Sequence, residues 1–241
     1  MKTLIISDIH SNQEALRASL KRTDWDDLWV LGDLVGYGAD PNAVVDQVRE
    51  LEPSWIVRGN HDKVCCGLED ASHFSDLARE AALWTQDRLS DDSLSYLQAL
   101  PQGPLGREAW MISHGSPWDE DEYLLEEEQV WPQLESVEQP VCFFGHTHVP
   151  ALYESARGRR RQSRISDSLM LNLEQETRYF INPGSVGQPR DGDPRGCLGL
   201  LDREKMTFEF LKFEYDYESA GEKILRAGLP SLLAHRLRVG R

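Results

Sequence analysis

The sequence has few cysteines, few cations and no long apolar run. Only four of its 241 residues are cysteines, two of them adjacent at Cys65 and Cys66, a pattern that spells neither a disulfide framework nor a C-x-x-C metal site. No stretch approaches the roughly 20 apolar residues of a membrane-spanning helix, and the apolar part of MKTLIISDIHS is too short for a signal-peptide core. We therefore expect a cytoplasmic protein with reduced thiols and no membrane partner.

Positive charge is scarce as well. The chain has 26 Lys and Arg against 41 Asp and Glu, a net charge of −15, which repels nucleic acid backbones, so no double-stranded nucleic acid is expected as a partner. An anionic substrate would need a local positive centre. The length fits one core, and we predict a single domain over 1–241 with a C-terminal helical extension at 214–241. Homo-oligomer formation is left open.

Apolar runs alternate with helical patterns in the first half, which is typical of strands joined by crossover helices. The predicted order begins with strands at 3–7, 28–31 and 54–57, with helices at 12–21 and 41–51 between them. A helix at 75–100 and strands at 110–113 and 141–144 follow. Beyond Pro150 we predict strands at 151–153, 170–173, 179–181, 198–201 and 207–213, a hairpin near 202–205, and two short helices within 218–237.

Two charge runs interrupt this pattern, an acidic one at 119–128 and a basic one at 157–164. The first interpretation is a solvated loop or helix face for each. The arginines can alternatively bind a phosphate-bearing substrate or a partner, although a hairpin tip would give the same pattern.

Five of the seven histidines lie in short motifs that each follow an apolar run. The motifs are S-D-I-H at 7–10, G-N-H-D at 59–62, S-H-G at 113–115 and G-H-T-H at 145–148, and L-G-D at 31–33 adds a carboxylate. If the five strands lie in one sheet and run the same way, their carboxyl-terminal loops meet at one edge. The residues that would converge there are Asp8, His10, Asp33, Asn60, His61, His114, His146 and His148.

This mixture of imidazole, carboxylate and amide oxygen suits Mn, Fe, Zn, Co or Ni better than calcium. There are too many ligands for one transition metal and about enough for two that share a carboxylate. Alternate residues of an extended strand end point the same way, so Asp8 and His10 can bind one ion. Gly32, Gly59 and Gly145 suit tight turns with close backbone approach.

The motifs D-x-H, G-D, G-N-H-D, H-G and G-H-T-H, in this order over residues 8–148, resemble the signatures of the calcineurin-like metallophosphoesterases. The run N-P-G-S-V-G-Q-P-R at 182–190 is similar to the continuation in the small bacterial and archaeal phosphodiesterase-like branch. The resemblance implies an α/β fold, a four-layer α/β/β/α sandwich of two mixed sheets.

The resemblance also implies roles for the motif residues. Asp8, His10 and His148 would hold one metal, Asn60, His114 and His146 the other, and Asp33 would bridge them. Mn is the expected metal, with Fe, Zn, Co and Ni as alternatives. His61 matches a non-ligand histidine that faces the phosphate ester.

We expect the nucleophile to be a hydroxide that bridges the two metals. Two divalent ions, Asp8, Asp33 and that hydroxide sum to about +1, which gives an acidic protein a positive centre for an anionic substrate. His61 would protonate or stabilise the leaving oxygen, a contribution of about 10²- to 10⁴-fold.

Other residues near the motifs have two interpretations each. Asp62 either orients His61 or caps the following segment. Asn12 either contacts the substrate or caps the first helix. Arg190 either binds phosphate or pairs with Asp191 or Asp193. His73 and His235 lie outside the motifs and receive no role.

A departure from the family pattern in the second motif narrows the range of expected substrates. Serine/threonine phosphatases of the superfamily continue the second motif as G-D-x-V-D-R-G, whose arginine binds phosphate, whereas residues 34–38 here read L-V-G-Y-G. We therefore expect a phosphodiesterase or broad-specificity phosphoesterase for a small phosphate ester or nucleotide-like substrate. The alternatives are a nucleotidase or protein phosphatase of the same superfamily, or a noncatalytic interaction scaffold.

Overall fold

The computed structural model describes residues 1–241 and contains twelve strands and eight helices. The strands are β1 (Lys2–Ile6), β2 (Asp27–Val30), β3 (Trp55–Ile56), β4 (Leu105–Arg107), β5 (Trp110–Ile112), β6 (Val141–Phe143), β7 (Ala151–Ala156), β8 (Arg159–Arg164), β9 (Leu169–Asn172), β10 (Thr177–Asn182), β11 (Gly196–Asp202) and β12 (Thr207–Phe213). The helices are α1 (Gln13–Leu20), α2 (Pro41–Glu50), α3 (Asn60–Cys65), α4 (Asp76–Gln86), α5 (Asp91–Ala99), α6 (Glu127–Ser136), α7 (Tyr217–Arg226) and α8 (Ser231–Val239).

The strands form two six-stranded sheets, in the orders β3-β2-β1-β11-β12-β9 and β4-β5-β6-β10-β7-β8. Both sheets are mixed. In the first, β1, β2 and β3 are parallel while β11 runs antiparallel to β1. In the second, β5, β6 and β10 are parallel, with β4 and β7 as antiparallel neighbours. The two-sheet α/β fold that the resemblance implied is confirmed.

Side-chain alternation along the strands separates the core into layers. On β1, Ile5 packs between the two sheets in a cluster that includes Phe143 and Phe208. Its neighbours Leu4 and Ile6 face the opposite way, into the cluster formed with the helices that cover the first sheet. Helix α6 covers the second sheet. The two β-sheets therefore lie face to face with helices outside.

The βαβαβ start and the β11–β12 hairpin are as predicted, but the five strands that precede the motifs do not share one sheet. The loops after β1, β2 and β3 belong to the first sheet and those after β5 and β6 to the second. The continuous helix at 75–100 is also wrong. Helix α4 ends at Gln86, and the Ser90 hydroxyl accepts a hydrogen bond from the Ser93 backbone N–H, which caps a separate helix α5.

Four short elements lay outside the predicted set: α3, α6, β4 and β8. The acidic run enters α6, and the basic run forms the β7–β8 turn and the edge strand β8. Helices α7 and α8 pack together with the loop that follows β2, through Leu233, Leu237 and Tyr37. All four cysteines are free and buried. None of the eight helices is both long and apolar enough to cross a membrane.

Candidate metal centre

Five loops meet at one edge of the two-sheet sandwich, and each follows a strand. We call this surface the ligand rim, residues 7–12, 31–38, 57–62, 113–116 and 144–149. The backbone N–H of Ile9 donates to the Asp33 carbonyl at 2.9 Å within the first sheet. The backbone N–H of His146 donates to Oδ1 of Asp8 at 3.2 Å and thereby joins the two sheets. The rim brings together all seven ligands that the sequence predicted.

The first group of ligand atoms belongs to Asp8, His10, Asp33 and His148, which are buried and lie within 4.8 Å of one another. Nε2 of His10 is 3.1 Å from Nε2 of His148 and 3.5 Å from Oδ2 of Asp33. Nε2 of His148 is 3.4 Å from Oδ1 of Asp8. Ligand atoms at about 2.1 Å from one metal lie about 3.0 to 3.4 Å apart, so the group has the spacing of a coordination shell.

The second group belongs to Asp33, His114 and His146. Nε2 of His114 is 3.4 Å from Oδ2 of Asp33 and 3.1 Å from Nδ1 of His146. The amide oxygen of Asn60 lies 3.2 Å from the same Nε2. Oδ2 of Asp33 therefore lies between the two groups.

Backbone carbonyls determine which nitrogen of each imidazole carries its proton. Nδ1 of His10 donates to the Val35 carbonyl at 3.0 Å, and Nδ1 of His148 donates to the Gln188 carbonyl at 2.6 Å. A neutral imidazole carries one proton, so the two Nε2 atoms present lone pairs to each other. Two lone pairs at 3.1 Å repel unless a cation lies between them.

The second group has the same arrangement. Nδ1 of His114 donates to the Leu31 carbonyl at 2.8 Å, and Nε2 of His146 donates to the Asp121 carbonyl at 3.2 Å. In the neutral rings, Nε2 of His114 and Nδ1 of His146 then face each other as acceptors, with the Asn60 oxygen as a third. Both groups can therefore receive a cation.

The carboxylates also fit metal ions. Oδ2 of Asp8 and Oδ2 of Asp33 are buried and have no hydrogen-bond partner, which is costly for a carboxylate. Burial raises the pKa of Asp8 to about 7, although His114 lowers it. A divalent ion beside these oxygens would replace the lost hydration, and the donor set suits such an ion.

The imidazoles differ in their pKa values. Burial lowers the pKa of His10, His146 and His148 well below the usual range, so they are neutral lone-pair donors at pH 7. Burial also opposes protonation of His114, but the Asp33 carboxylate outweighs it and raises the pKa of His114 to about 10. The space between His114 and Asp33 therefore favours a positive charge, which a proton or a metal ion can supply.

The backbone of the ligand rim is strained at the ligands themselves. Left-handed φ angles are uncommon for residues with a side chain and cost roughly 1–3 kcal/mol each. Five ligand residues adopt them: Asp8 at 54°, His10 at 49°, Asp33 at 54°, His146 at 67° and His148 at 59°. The surrounding fold therefore holds these residues in conformations that they would not adopt alone.

Two of the predicted glycines allow a close approach to the ligands. A Cβ atom on Gly59 would lie 2.1 Å from Oδ1 of Asp33, and one on Gly145 would lie 2.0 Å from Oγ of Ser7. Neither site has room for a side chain. The turns thus let the backbone pack directly against the carboxylate-bearing loops.

His61 lies beside the ligands but in neither group. Its backbone N–H donates to Oδ1 of Asp33 at 2.9 Å, which leaves Oδ2 of that carboxylate for the ligand groups. Its ring packs against Tyr37, Phe74 and His10 at centroid distances of 4.4, 4.6 and 4.9 Å. Burial lowers its pKa to about 4, so the ring is neutral at pH 7.

Asp62 caps α3 and joins two loops of the rim. Its Oδ2 accepts from the Gly59 N–H at 2.9 Å, and its Oδ1 accepts from the N–H groups of Leu34 and Val35 at 2.8 and 3.2 Å. Of its two interpretations, the capping one describes the contacts that the carboxylate makes.

Asn12 also has its polar atoms occupied by the fold. Its Oδ1 accepts from the Ala15 N–H at 3.1 Å and caps α1, while its Nδ2 donates to the Gly187 carbonyl at 2.8 Å. These contacts anchor the 182–190 segment to the first loop of the rim. The capping interpretation therefore describes this side chain.

The ion pairs that the sequence suggested for Arg190 do not form. Asp191 pairs with Lys212, and Asp193 pairs with Arg195 at 2.7 Å. Arg190 makes no salt bridge and turns away from both carboxylates, toward the ligand rim.

Tyr37 and Arg236 lie near Arg190, and neither was among the predicted site residues. Nη2 of Arg190 donates to Oε1 of Gln188 at 3.1 Å and lies 3.5 Å from the hydroxyl of Tyr37. The guanidinium of Arg236, on α8, lies 5.7 Å from the Tyr37 ring centroid. The G-Y-G turn after L-G-D is a local signal for Tyr37. No local signal marks Arg236, which follows the last motif by many residues.

A cavity of about 600 Å³ opens over the rim, a volume in the range of small-molecule sites. It combines ligand-rim residues with aromatic and charged ones. Its wall includes Asn60, His61, His146, Tyr37, Phe74, Tyr123, Arg190 and Arg236, together with His73.

Residues 1–206 match the model of the calcineurin-like phosphoesterase superfamily domain. The chain belongs to this superfamily. An uncharacterized protein of Methanocaldococcus jannaschii is 35% identical over 248 aligned residues, which cover 98% of this chain and 97% of the relative. The crystal structure of a metallophosphoesterase from Sphaerobacter thermophilus has a TM-score of 0.89 at 37% identity, covering 100% of this chain and 99% of that chain.

A more distant match is local. A symmetrical bis(5′-nucleosyl)-tetraphosphatase of Edwardsiella ictaluri is 42% identical over 67 residues, which cover 26% of this chain and 24% of that protein. Members of the superfamily are metal-dependent hydrolases of phosphate esters, and the buried His and Asp groups of this chain can bind metal.

Proposed function

We propose that the protein is a phosphodiesterase or broad-specificity phosphoesterase that uses two divalent transition-metal ions. The observation that carries this proposal is the pair of ligand groups that share Oδ2 of Asp33. In the first group the lone pairs of two imidazoles converge, in the second Nε2 of His114 and Nδ1 of His146 lie 3.1 Å apart, and neither Oδ2 of Asp8 nor Oδ2 of Asp33 has a hydrogen-bond partner. Superfamily membership supports the reaction class.

The ligand groups give each residue a role. Asp8, His10 and His148 would hold one ion, Asn60, His114 and His146 would hold the second, and Asp33 would be shared by both. When bound, two such ions neutralise charge on the phosphate oxygens and acidify a water molecule for in-line attack. Manganese is the expected ion, with iron, zinc, cobalt and nickel to be compared.

His61 is the proposed catalytic side chain outside the metal ligands. It lines the cavity, and aromatic rings hold its imidazole in place. It is therefore placed to hold a proton toward the leaving oxygen of the ester, which it stabilises by hydrogen bonding.

Residues of the cavity support a small or nucleotide-like ester as the substrate. The L-V-G-Y-G run places Tyr37 where the protein-phosphatase pattern has arginine, and Tyr37 packs against the rings of His10 and His61. Hydrolysis of a nucleotide phosphoanhydride is a second candidate, which the local similarity to the tetraphosphatase favours.

Metal content and substrate preference test this proposal together. We expect about two transition-metal ions per chain. Chelation should abolish turnover and lower the midpoint of thermal unfolding, because a ligand that binds only the folded state stabilises it. Added Mn²⁺ should restore both. Restored hydrolysis of bis(p-nitrophenyl) phosphate above that of p-nitrophenyl phosphate supports a diesterase.

Other outcomes identify the alternatives. Faster hydrolysis of the monoester would favour a nucleotidase or phosphatase. A chain that binds no transition metal, with a thermal midpoint that chelation does not change and no turnover of either ester, would be a noncatalytic scaffold on this fold.

A further inference from the structure

Two guanidinium groups line the wall of the same cavity, and neither pairs with an Asp or Glu side chain. Arg190 ends the 182–190 segment, and Arg236 comes from α8. Their Cζ atoms lie 5.8 and 5.7 Å from the centroid of the same ring, Tyr37. Both side chains are partly buried and line the cavity that also contains His61 and His146.

The acidic residues around this pair are already engaged. Beyond the pairs of Asp191 and Asp193, the acidic residues Glu69 and Asp121 of the cavity wall both bind Lys63, at 2.9 and 2.6 Å. The third acidic residue of the wall, Asp70, is exposed and accepts a hydrogen bond from the Ser72 backbone N–H at 2.8 Å. Neither Arg190 nor Arg236 pairs with an Asp or Glu side chain. In a chain with a net charge of −15, two partly buried cations without carboxylates are unexpected unless a ligand supplies the negative charge.

The fold holds the two cations together against their repulsion. Nε of Arg190 is buried without an acceptor. Nε of Arg236 donates to the main-chain oxygen of the last residue, Arg241, and Leu233 and Leu237 anchor α8 in the core beneath it. Burial and the charge of Arg190 both lower the pKa of Arg236. An anion bound between the two guanidiniums would remove this repulsion.

The Tyr37 ring lies near the two arginines and also near two histidines of the ligand rim. Its ring lies 4.8 Å from that of His10 and 4.4 Å from that of His61, and the two guanidiniums lie against the same ring. The cations are thus neighbours of the metal ligands without belonging to them. A phosphate chain that extends from the metal centre into the cavity would reach them.

We propose that Arg190 and Arg236 form an anion subsite for a second phosphate of the substrate, so that the preferred esters are nucleotide-like molecules with at least two adjacent phosphates. The planar guanidinium fork binds phosphate oxygens in pairs, which suits this role. The inference rests on the proposed function, since the metal centre must take the phosphate that is attacked. Arg236 would then be a specificity-determining residue supplied by the C-terminal helices.

A comparison of two inhibitors that differ by one phosphate tests the subsite. The inhibitors are AMP and the non-hydrolysable adenosine 5′-(α,β-methylene)diphosphate, and the Mn²⁺-loaded full chain is the protein. Binding is measured by calorimetry and by inhibition of bis(p-nitrophenyl) phosphate hydrolysis. We expect the native chain to bind the diphosphate at least about tenfold more tightly than AMP, as one charge-assisted hydrogen-bonding group contributes.

Arg236→Gln should remove most of that preference, and Arg236→Lys, which keeps the charge but loses the fork, should retain part of it. Arg238→Gln is the matched control, because Arg238 is an exposed cation of the same helix that does not line the cavity. It should leave the ratio of the two affinities unchanged. Equal thermal midpoints for the Arg236 and Arg238 variants would show that α8 stays folded.

Two results would overturn the subsite. Equal weakening of both inhibitors in Arg236→Gln would place Arg236 on the attacked phosphate or in a purely structural role. An unchanged preference for the diphosphate over AMP would show that Arg236 does not bind the second phosphate. Failure of the proposed function is distinguishable, because it shows as absent metal and absent ester hydrolysis, whereas calorimetry reports the diphosphate preference without turnover.

Discussion

The ligand rim and the β7–β8 hairpin are both dense in ionisable residues, yet their surroundings are opposite. In the hairpin, Arg157 pairs with Glu176 and Arg160 pairs with Glu135. The side chains of the first pair are 82% and 71% exposed. In the rim, Asp8 and His10 are almost wholly buried, and the carboxylate has an oxygen without a partner.

Charge density along the sequence therefore does not locate function. Exposed ion pairs contribute about 0–1 kcal/mol because water solvates both partners well. A buried carboxylate without a partner is unfavourable until a ligand arrives. What distinguishes the rim is the combination of burial, missing partners and left-handed backbone at the same residues. Four mutations or mutation pairs, ordered by expected effect, test this difference.

Asp33→Asn should have the largest effect. The substitution keeps the shape of the side chain but removes the charge that both ligand groups share. We expect the rate of bis(p-nitrophenyl) phosphate hydrolysis to fall at least about 10³-fold, or about 4 kcal/mol in activation free energy, with fewer metal ions bound. Asp24→Asn, at an exposed carboxylate that belongs to none of the motifs and does not line the cavity, serves as the charge-matched control. Full activity in Asp33→Asn would refute the shared-ligand arrangement.

Gly59→Ala should weaken metal binding at the ligand rim through a steric clash, without changing any charge. The added methyl would meet Oδ1 of Asp33 at 2.1 Å, so the carboxylate must move. We expect weakened metal binding and a lower thermal midpoint, measured by metal titration and calorimetry. Gly158→Ala provides the contrast, since Gly158 has open space around it in the β7–β8 turn but a φ of 75°. It should cost only the backbone strain, about 1 kcal/mol, and leave metal binding intact.

His61→Ala should retain metal and lower turnover at least about tenfold on an ester with a poor leaving group. The reason is that the imidazole lines the cavity but belongs to neither ligand group. Turnover on an ester with a good leaving group should fall less. His235→Ala, at an exposed histidine on α8, is the control. Unchanged turnover on the poor leaving group would exclude His61 from the reaction.

Paired substitution of Arg157 and Arg160 by Gln should have the smallest effect. Both arginines are exposed and bind single surface glutamates, so the free energy of unfolding should change by less than about 1 kcal/mol. Ester hydrolysis and metal content should not change. A loss of activity comparable to that of Asp33→Asn would mean that the hairpin, too, contributes to the site.

Much of the fold was accessible from local patterns. Strands β1 and β2 and helices α1 and α2 follow apolar periodicity, and α1 begins after the capping residue Asn12. The division into two sheets was not accessible from those patterns, because β1 and β6 read as equally apolar runs. Their sheet membership depends on pairing with β11 and β10, which come much later in the chain.

The candidate site, too, has features that follow from local sequence and features that follow from tertiary structure. The sequence by itself determined the ligand types, since D-x-H and G-H-T-H specify donor atoms within a few residues of one another. Tertiary structure decided which donors face each other, because carbonyls such as those of Val35 and Leu31 set the tautomers of distant histidines. It also decided that Arg236 and Arg190 line the same cavity, with their Cζ atoms 5.7 and 5.8 Å from the centroid of the Tyr37 ring. Residue type is a local property, whereas the distance and burial of two side chains depend on how remote segments pack.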